Sequence, residues 1–274
     1  MFLAACVQLC STTDQTRNLD AAERFIRRAA SLGAELIATP ENTAFLGPQF
    51  HKVELAEPLS GPTTERLRAL AAELSVLLLV GGLAEQRRLP DGQVDRRRCY
   101  NTSLLLGPAG DIIASYRKMH LFDVDVPGGL TIRESDTIAA GDQVVVADTR
   151  LGRIGLSICY DLRFPELYRA MVDQGADIIA VPSAFTLTTG KDHWHALLRA
   201  RAMETQCWVL APAQWGSHDD AGKRQSYGHS LIIDPWGVVV ADKGHGEGLC
   251  LAEIDAERTA QVRRAIPVRD HRRL

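Results

Sequence analysis

Two spacings of apolar residues alternate along this chain. Short aliphatic runs suited to buried strands are separated by stretches whose apolar residues recur every three or four positions, as on one face of a helix. Residues 3–9 (Leu-Ala-Ala-Cys-Val-Gln-Leu) read as a strand. Residues 19–32 read as a helix with Ala22, Phe25, Ile26, Ala29 and Ala30 as its buried stripe and Gly33 placed to end it. A strand at 36–39 stops at Pro40. Pro62 suits the first turn of a helix facing inward through Leu67, Leu70, Ala71 and Leu74, and a strand at 76–80 runs into Gly81-Gly82. Turn chemistry predicts hairpins at 102–106/112–116, around Gly107-Pro108-Ala109-Gly110-Asp111, and at 144–147/153–158. Then follow a helix at 165–173, a strand at 178–181, a long helix at 192–206 and a strand at 208–211. A hairpin at 230–233/238–241, a strand at 249–254 and a helix at 256–265 complete the series. Strands interleaved with helices and hairpins predict a layered α/β protein with mixed sheets.

Composition narrows the class. Of 274 residues 46% are hydrophobic and 24% charged, the balance of a globule and not of a disordered chain. No Pro/Ser-rich linker divides the sequence, so the expectation is a single domain over 1–274. A formal net charge of −3 gives no electrostatic basis for a nucleic acid or an anionic membrane as partner. The amino-terminal run has no basic segment before it, and the longest apolar stretch, 74–83, is broken by Ser75, Gly81 and Gly82. It falls short of the roughly 18 residues a membrane span needs. The cysteines (Cys6, Cys10, Cys99, Cys159, Cys207 and Cys250) include no Cys-x-x-Cys pair, and a cytoplasmic protein with reduced thiols is expected. The Arg-rich stretches at 85–98 and 263–273 read as solvated surface, the second also as a segment able to pack on a partner subunit.

Candidate chemistry centres on Cys159. It ends the apolar run Gly155-Leu156-Ser157-Ile158 and precedes Tyr160-Asp161-Leu162-Arg163-Phe164-Pro165-Glu166, where Pro165 opens a helix. A thiol at a strand-to-helix junction can sit at a sheet edge, near helix N–H groups that stabilise a thiolate or an oxyanion. The same thiol also reads as one more buried core cysteine. Two other segments place polar residues just beyond an apolar strand: Thr39-Pro40-Glu41-Asn42 and Tyr116-Arg117-Lys118-Met119-His120-Leu121-Phe122-Asp123. Taken singly, Glu41 and Lys118 are ordinary surface residues. His193 and His195 lie two apart on a helix and point to different sides, a poor metal pair, and His229 precedes a strand in Tyr227-Gly228-His229-Ser230. No residue cluster has zinc spacing and no phosphate-binding glycine loop occurs, so neither a metal nor another cofactor is expected.

In order along the chain, Pro40-Glu41, Tyr116–Asp123 and Cys159–Glu166 resemble the three catalytic blocks of the nitrilase (carbon–nitrogen hydrolase) superfamily. The likeness runs from Ala5 to about Arg273. It implies a four-layer αββα sandwich with two mixed β-sheets, assembled at least as a homodimer, and a catalytic triad of Glu41, Lys118 and Cys159. Glu134, in Ile132-Arg133-Glu134-Ser135, matches the second glutamate of the family's amidases, a residue that orients the lysine or the substrate amide. Within the superfamily the chain is most similar to the deaminated-glutathione amidase branch. That likeness rests on Pro182-Ser183-Ala184-Phe185, His193-Trp194, residues 198–207 ending in Glu-Thr-Gln-Cys, and Ser226–Ser230 with Asp234-Pro235-Trp236-Gly237. His195 departs from it, since relatives often carry Glu after the His-Trp pair.

The resemblance implies a cofactor-free amidase that forms a thioester on Cys159 and cleaves the amide of an α-ketoglutaramyl group. Deaminated glutathione would give 2-oxoglutarate and cysteinylglycine. The Tyr160 N–H is expected as an oxyanion donor, and Arg163, Ser183 and Phe185 as substrate-binding residues. Arg163 is the candidate partner of the keto-acid carboxylate, or else one half of a structural ion pair. The rival readings are an omega-amidase acting on α-ketoglutaramate, a cysteine hydrolase with His193 or His229 as base, and a catalytically silent interaction module.

Overall fold

Alternation along the strands decides how the layers stack. The computed structural model describes residues 1–126, 130–219, 222 and 224–273. Its first half contains β1 (Phe2–Gln8), α1 (Gln15–Ser31), β2 (Ala34–Ala38), α2 (Gln49–Glu54), α3 (Pro62–Leu74), β3 (Leu77–Glu85), β4 (Tyr100–Leu106) and β5 (Ile112–Arg117). A small hairpin, β6 (Asp123–Val126) and β7 (Leu130–Arg133), leads through a short 3-10 turn to β8 (Val146–Thr149) and β9 (Gly152–Leu156). Next come α4 (Pro165–Asp173), β10 (Ile178–Ala180), α5 (Leu187–Thr205), β11 (Trp208–Ala211), β12 (Trp215–Ser217) and β13 (Gln225–Tyr227). The chain ends in β14 (Leu231–Ile233), β15 (Val239–Asp242), β16 (Gly248–Ile254), α6 (Ala256–Ala265) and α7 (Val268–His271).

Two six-stranded sheets form the centre, ordered β16-β1-β2-β3-β4-β5 and β15-β14-β11-β10-β9-β8. Each has a parallel middle, β1–β2–β3 in one and β9–β10–β11 in the other, extended by antiparallel strands on both sides. Because successive side chains of a strand point to opposite faces, one register of the first sheet meets helices and the other meets the second sheet. Ala5, Val7, Ile37, Leu78, Val80, Leu104 and Leu106 pack on Ile26, Ala29, Leu67 and Leu70 of α1 and α3. The alternate residues Ala4, Cys6, Leu36, Ala38, Leu77, Leu79 and Leu105 join the core built on Ile154, Leu156 and Ile179. Leu167, Met171, Trp194 and Leu198 of α4 and α5 complete it. The order is helices, sheet, sheet, helices, the αββα sandwich that the resemblance implies.

Element ends depart from the pattern where a cap or a bulge overrides periodicity. α1 starts at Gln15, before its apolar stripe, because the Asp14 carboxylate caps it by accepting from the Arg17 N–H at 3.0 Å. α5 likewise starts at Leu187 instead of 192, with Thr186 as its cap. β3 does not stop at Gly81-Gly82 but continues to Glu85, with its pairing to β4 shifting between Val80 and Leu83. The basic carboxy-terminal stretch folds back on its own chain. Arg263 pairs with Asp177 at 3.0 Å, Arg272 with Asp173 at 2.8 Å, and Arg269 donates to the Val172 carbonyl at 3.1 Å. In the other basic stretch, Arg87 is paired with Asp95. All six cysteines are free thiols. Among the described residues no helix is long and apolar enough to cross a membrane.

Candidate active site

The three segments singled out by sequence converge at one edge of the sandwich, each just past the carboxyl end of a strand. Glu41 follows β2, Lys118 follows β5, and Cys159 follows β9 in a 3-10 turn that spans Cys159–Arg163. Ligand sites of α/β sheets gather at such strand ends, where loops leave the packed layer.

Cys159 sits in a conformation that a non-glycine residue seldom adopts, with φ of +48°. Left-handed backbone at a residue with a Cβ costs about 1–2 kcal/mol, so neighbouring contacts must hold it. The Cys159 N–H donates to the Pro182 carbonyl at 3.0 Å. The fully buried Asp161 carboxylate accepts from the Ile158 N–H (2.8 Å), the Tyr116 hydroxyl (2.7 Å) and the His120 N–H (3.0 Å), and lies 2.7 Å from His120 Nδ1. The turn carrying Cys159 is thereby tied to the start of the Lys118 segment across the two sheets. The Tyr160 N–H has no acceptor among the described residues and is free to face a bound group.

Around the thiol lie two carboxylates and one ammonium. Lys118, only 2% exposed, donates to Glu41 Oε1 at 3.0 Å and to both Glu134 oxygens, at 3.1 and 2.9 Å. Glu41 also accepts from Asn101 Nδ2 at 2.9 Å and, through Oε2, from the Ala184 N–H at 3.0 Å. Glu134 is anchored by the Phe122 N–H at 2.7 Å. The thiol shares this cleft with Glu41, Lys118 and Glu134, and the Ala184 backbone lowers its pKa. Glycine is required at the base of the site. A Cβ on Gly82, whose φ is +57°, would stand 2.7 Å from Asn101 Oδ1 and 2.9 Å from Glu41 Cγ. The irregular pairing of β3 and β4 at this point makes the space for Glu41.

Electrostatics fix the resting protonation states. Burial drives the Cys159 pKa well above the usual thiol value, and the Glu41 charge pushes it the same way, more than the Lys118 ammonium pulls it down. Burial also opposes charge on Glu41, but the charges of Lys118 and Lys52 and the hydrogen bonds it accepts hold its pKa below 4.5. For Lys118, the carboxylates of Glu134 and Glu41 outweigh desolvation and lift its pKa well above 10.5. At neutral pH the site therefore holds a thiol, an ionised Glu41 and a lysine ammonium.

A cleft of about 1090 Å³ opens over these groups, with Phe122, Tyr160, Arg163 and Phe185 on its walls. The Arg163 guanidinium lies 5.4 Å from the Phe185 ring centre and donates to His193 Nδ1 at 3.2 Å. No described carboxylate is paired with it, so the structural ion pair anticipated as its other reading is not formed. Ser183 requires a correction. It is fully buried beneath the cleft wall, its hydroxyl donates to the Val181 carbonyl at 3.0 Å, and its backbone is bonded to Pro212 and Gln214. It holds the segment that presents Ala184 and Phe185 and has no route to a ligand.

The rival histidines are elsewhere. His193 faces Arg163, while His229 faces Asp242 at 3.0 Å, and among the described residues neither reaches the thiol. The histidine that does line the cleft, His218, donates from Nδ1 to the Ser11 carbonyl and accepts at Nε2 from Ser226 Oγ, both at 2.8 Å. Burial lowers its pKa, so it stays neutral and fully engaged. Sequence reasoning missed Asn101 and gave no role to Asp161 or the Ala184 N–H. The available signal for Asn101 was an amide at the head of the apolar run Leu104-Leu105-Leu106, where a polar side chain needs partners.

Comparison with known proteins bears on the family. The family model described as carbon–nitrogen hydrolase matches residues 3–264. A deaminated glutathione amidase of Synechocystis is 46% identical over 273 residues, 99% of this chain and 98% of its own. The human omega-amidase NIT2 is 38% identical, over 97% of this chain and 93% of its own. The crystal structure of Saccharomyces cerevisiae Nit3, a member of branch 10 of the nitrilase superfamily, superposes with a TM-score of 0.85 at 33% identity. It covers 100% of this chain and 97% of that one. With a matching family model along nearly its full length and relatives of this identity, the chain belongs to the carbon–nitrogen hydrolase family, whose members hydrolyse amide-type C–N bonds.

Proposed function

We propose that this enzyme is a deaminated-glutathione amidase working through a thioester on Cys159. The observation that carries the mechanism is the buried Glu41–Lys118–Glu134 cluster placed against a single thiol. Glu41, ionised and next to Sγ, takes the thiol proton as sulfur attacks the amide carbonyl. The carbonyl oxygen gains negative charge, which the Lys118 ammonium and the Tyr160 N–H stabilise where that charge appears. Glu41 then returns its proton to the departing nitrogen, the C–N bond breaks and the amine leaves. Water, deprotonated by Glu41, attacks the thioester; the acid departs and the thiol is restored. Among the described residues Glu134 binds only Lys118, Asn101 and backbone, so its role is to hold the ammonium in place. All of these groups belong to one folded domain spanning 1–274.

The substrate assignment rests on the named relative at 46% identity and on the cleft. A volume near 1090 Å³ accommodates a tripeptide-sized amide with room for its leaving dipeptide, more than α-ketoglutaramate requires. Arg163, without a carboxylate partner among the described residues and on the cleft wall, is the guanidinium for the keto-acid carboxylate, and Phe185 supports its flat face. Comparing kcat/KM for deaminated glutathione, α-ketoglutaramate, simple amides and N-carbamoyl amino acids tests the assignment. Deaminated glutathione is expected to lead, with Arg163→Ala raising its KM about tenfold or more and changing kcat little. A higher kcat/KM for α-ketoglutaramate would make the enzyme an omega-amidase, and an unchanged KM would remove Arg163 from the carboxylate site.

A further inference from the structure

Away from the cleft, three side chains distant in sequence converge beside the carboxy-terminal half of the second sheet. They are His195 on α5, His229 in the turn before β14, and Asp242 at the end of β15. One donor atom from each lies within 4.8 Å of the others. His195 Nε2 is 3.3 Å from Asp242 Oδ2, and His229 Nδ1 is 3.1 Å from the same oxygen. Ligands about 2.0–2.1 Å from a tetrahedral zinc ion stand roughly 3.3 Å apart along each edge of the tetrahedron. Two of the three edges already have that length.

The donors are also held in place, as a metal site requires. His229 follows Gly228 with both residues in the left-handed region (φ +54° and +79°), a turn that aims its ring at β15. Its carbonyl accepts from the Trp194 indole at 2.8 Å, and its N–H donates to the Gly244 carbonyl at 3.2 Å. Its ring stacks on Tyr227 at 4.5 Å and meets His195 edge-on at 5.1 Å. Asp242 accepts from the Gly244 N–H at 2.7 Å, the kind of outer hydrogen bond that orients a ligating carboxylate. The side chains of His195 and Asp242 are about one-third exposed, so an ion has a way in and water can complete the shell.

We propose that His195, His229 and Asp242 form a zinc site joining α5 to the edge hairpin of the second sheet, separate from the catalytic groups. Two imidazoles and one carboxylate with an open fourth position suit Zn²⁺ and exclude the oxygen-only preference of Mg²⁺ or Ca²⁺. Each ring presents a nitrogen lone pair to the ion and carries its hydrogen on the opposite nitrogen. The separations between 195, 229 and 242 match no zinc motif, so only the fold brings the donors together.

Cobalt(II) titration of a Cys159→Ser background, which removes the catalytic thiol, provides the test. Visible d–d bands of a tetrahedral N/O site are expected at one equivalent, without the charge-transfer band that a thiolate ligand produces. His195→Ala or Asp242→Asn in that background should weaken binding at least tenfold, while His193→Ala, on the neighbouring face of α5, should not. Zinc should raise the Tm of the otherwise unaltered chain and lose that effect in His195→Ala. Far-ultraviolet circular dichroism establishes that each variant is folded before titration. Absence of the visible bands at saturating cobalt would overturn the site, as would equal binding by the folded His195→Ala and Asp242→Asn variants.

Discussion

One amide, Asn101, has a disproportionate effect on the proposed chemistry. Its Nδ2 donates to Glu41 Oε1 at 2.9 Å and lies 3.4 Å from Glu134 Oε1, so it favours the charged form of the base. Removing that donor raises the Glu41 pKa from its depressed position. The acid limb of kcat/KM for Asn101→Ala is therefore expected to move to higher pH, with the residue itself touching neither thiol nor substrate. A limb that stays in place while kcat falls would mean that Asn101 only fills space. Lys118 depends on the same set of contacts, since an ammonium at 2% exposure is tolerable only between two carboxylates.

Among the elements, the turn after β9 and the irregular middle of β3 do the positioning. Gly82→Ala adds a Cβ within 2.9 Å of Glu41 Cγ at a positive φ, so Glu41 must shift. A loss of kcat of about 10²-fold with KM nearly unchanged is expected, because a displacement near 1 Å in the reacting groups costs that much. Steady-state kinetics on the folded variant decide it. Gly81→Ala differs in kind. There the new atom would meet the Pro40 backbone at 2.6 Å and the Pro182 side chain at 2.4 Å, so loss of soluble folded protein is expected.

These elements also mark what the sequence made legible. Strands and helices with clear periodicity emerged, because a buried face imposes its spacing on the residues that form it. The three segments that meet at the site were visible as polar residues at strand ends. α2, the β6–β7 and β12–β13 pairs and α7 were not, being short and set by long-range contacts. β3 read as ending at Gly81, since two glycines look like a stop until a carboxylate is seen to need their space. Ser183 was expected at the ligand through the resemblance of Pro182-Ser183-Ala184-Phe185 to the family, whereas its hydroxyl is spent on Val181.

For the molecule as a whole, the buried charges link stability to pH. Glu41 titrates below 4.5 when folded, so its contribution is fully present above that value and is lost as pH falls through the depressed pKa. Lys118 titrates above 10.5, and its contribution is fully present below that value and lost only as pH rises through the raised pKa. The Tm difference between wild type and Glu41→Gln is expected to be constant from neutral pH to about 5 and to narrow below 4.5. A difference that instead shifts in favour of wild type as pH falls from neutral would mean that burial, not Lys118, controls the carboxyl and raises its pKa. Other whole-molecule features, including the carboxy-terminal arginines paired with Asp173 and Asp177, brace the sandwich without entering the chemistry.

Everything proposed for catalysis passes through a covalent bond between Cys159 and the acyl half of the substrate. Rapid-quench mass spectrometry during turnover of deaminated glutathione tests that bond directly. An adduct of the acyl mass is expected on the peptide carrying Cys159, appearing before the acid product and absent in Cys159→Ala, which is inactive. Turnover that continues in Cys159→Ala, or that proceeds in wild type with no adduct at any quench time, would contradict it.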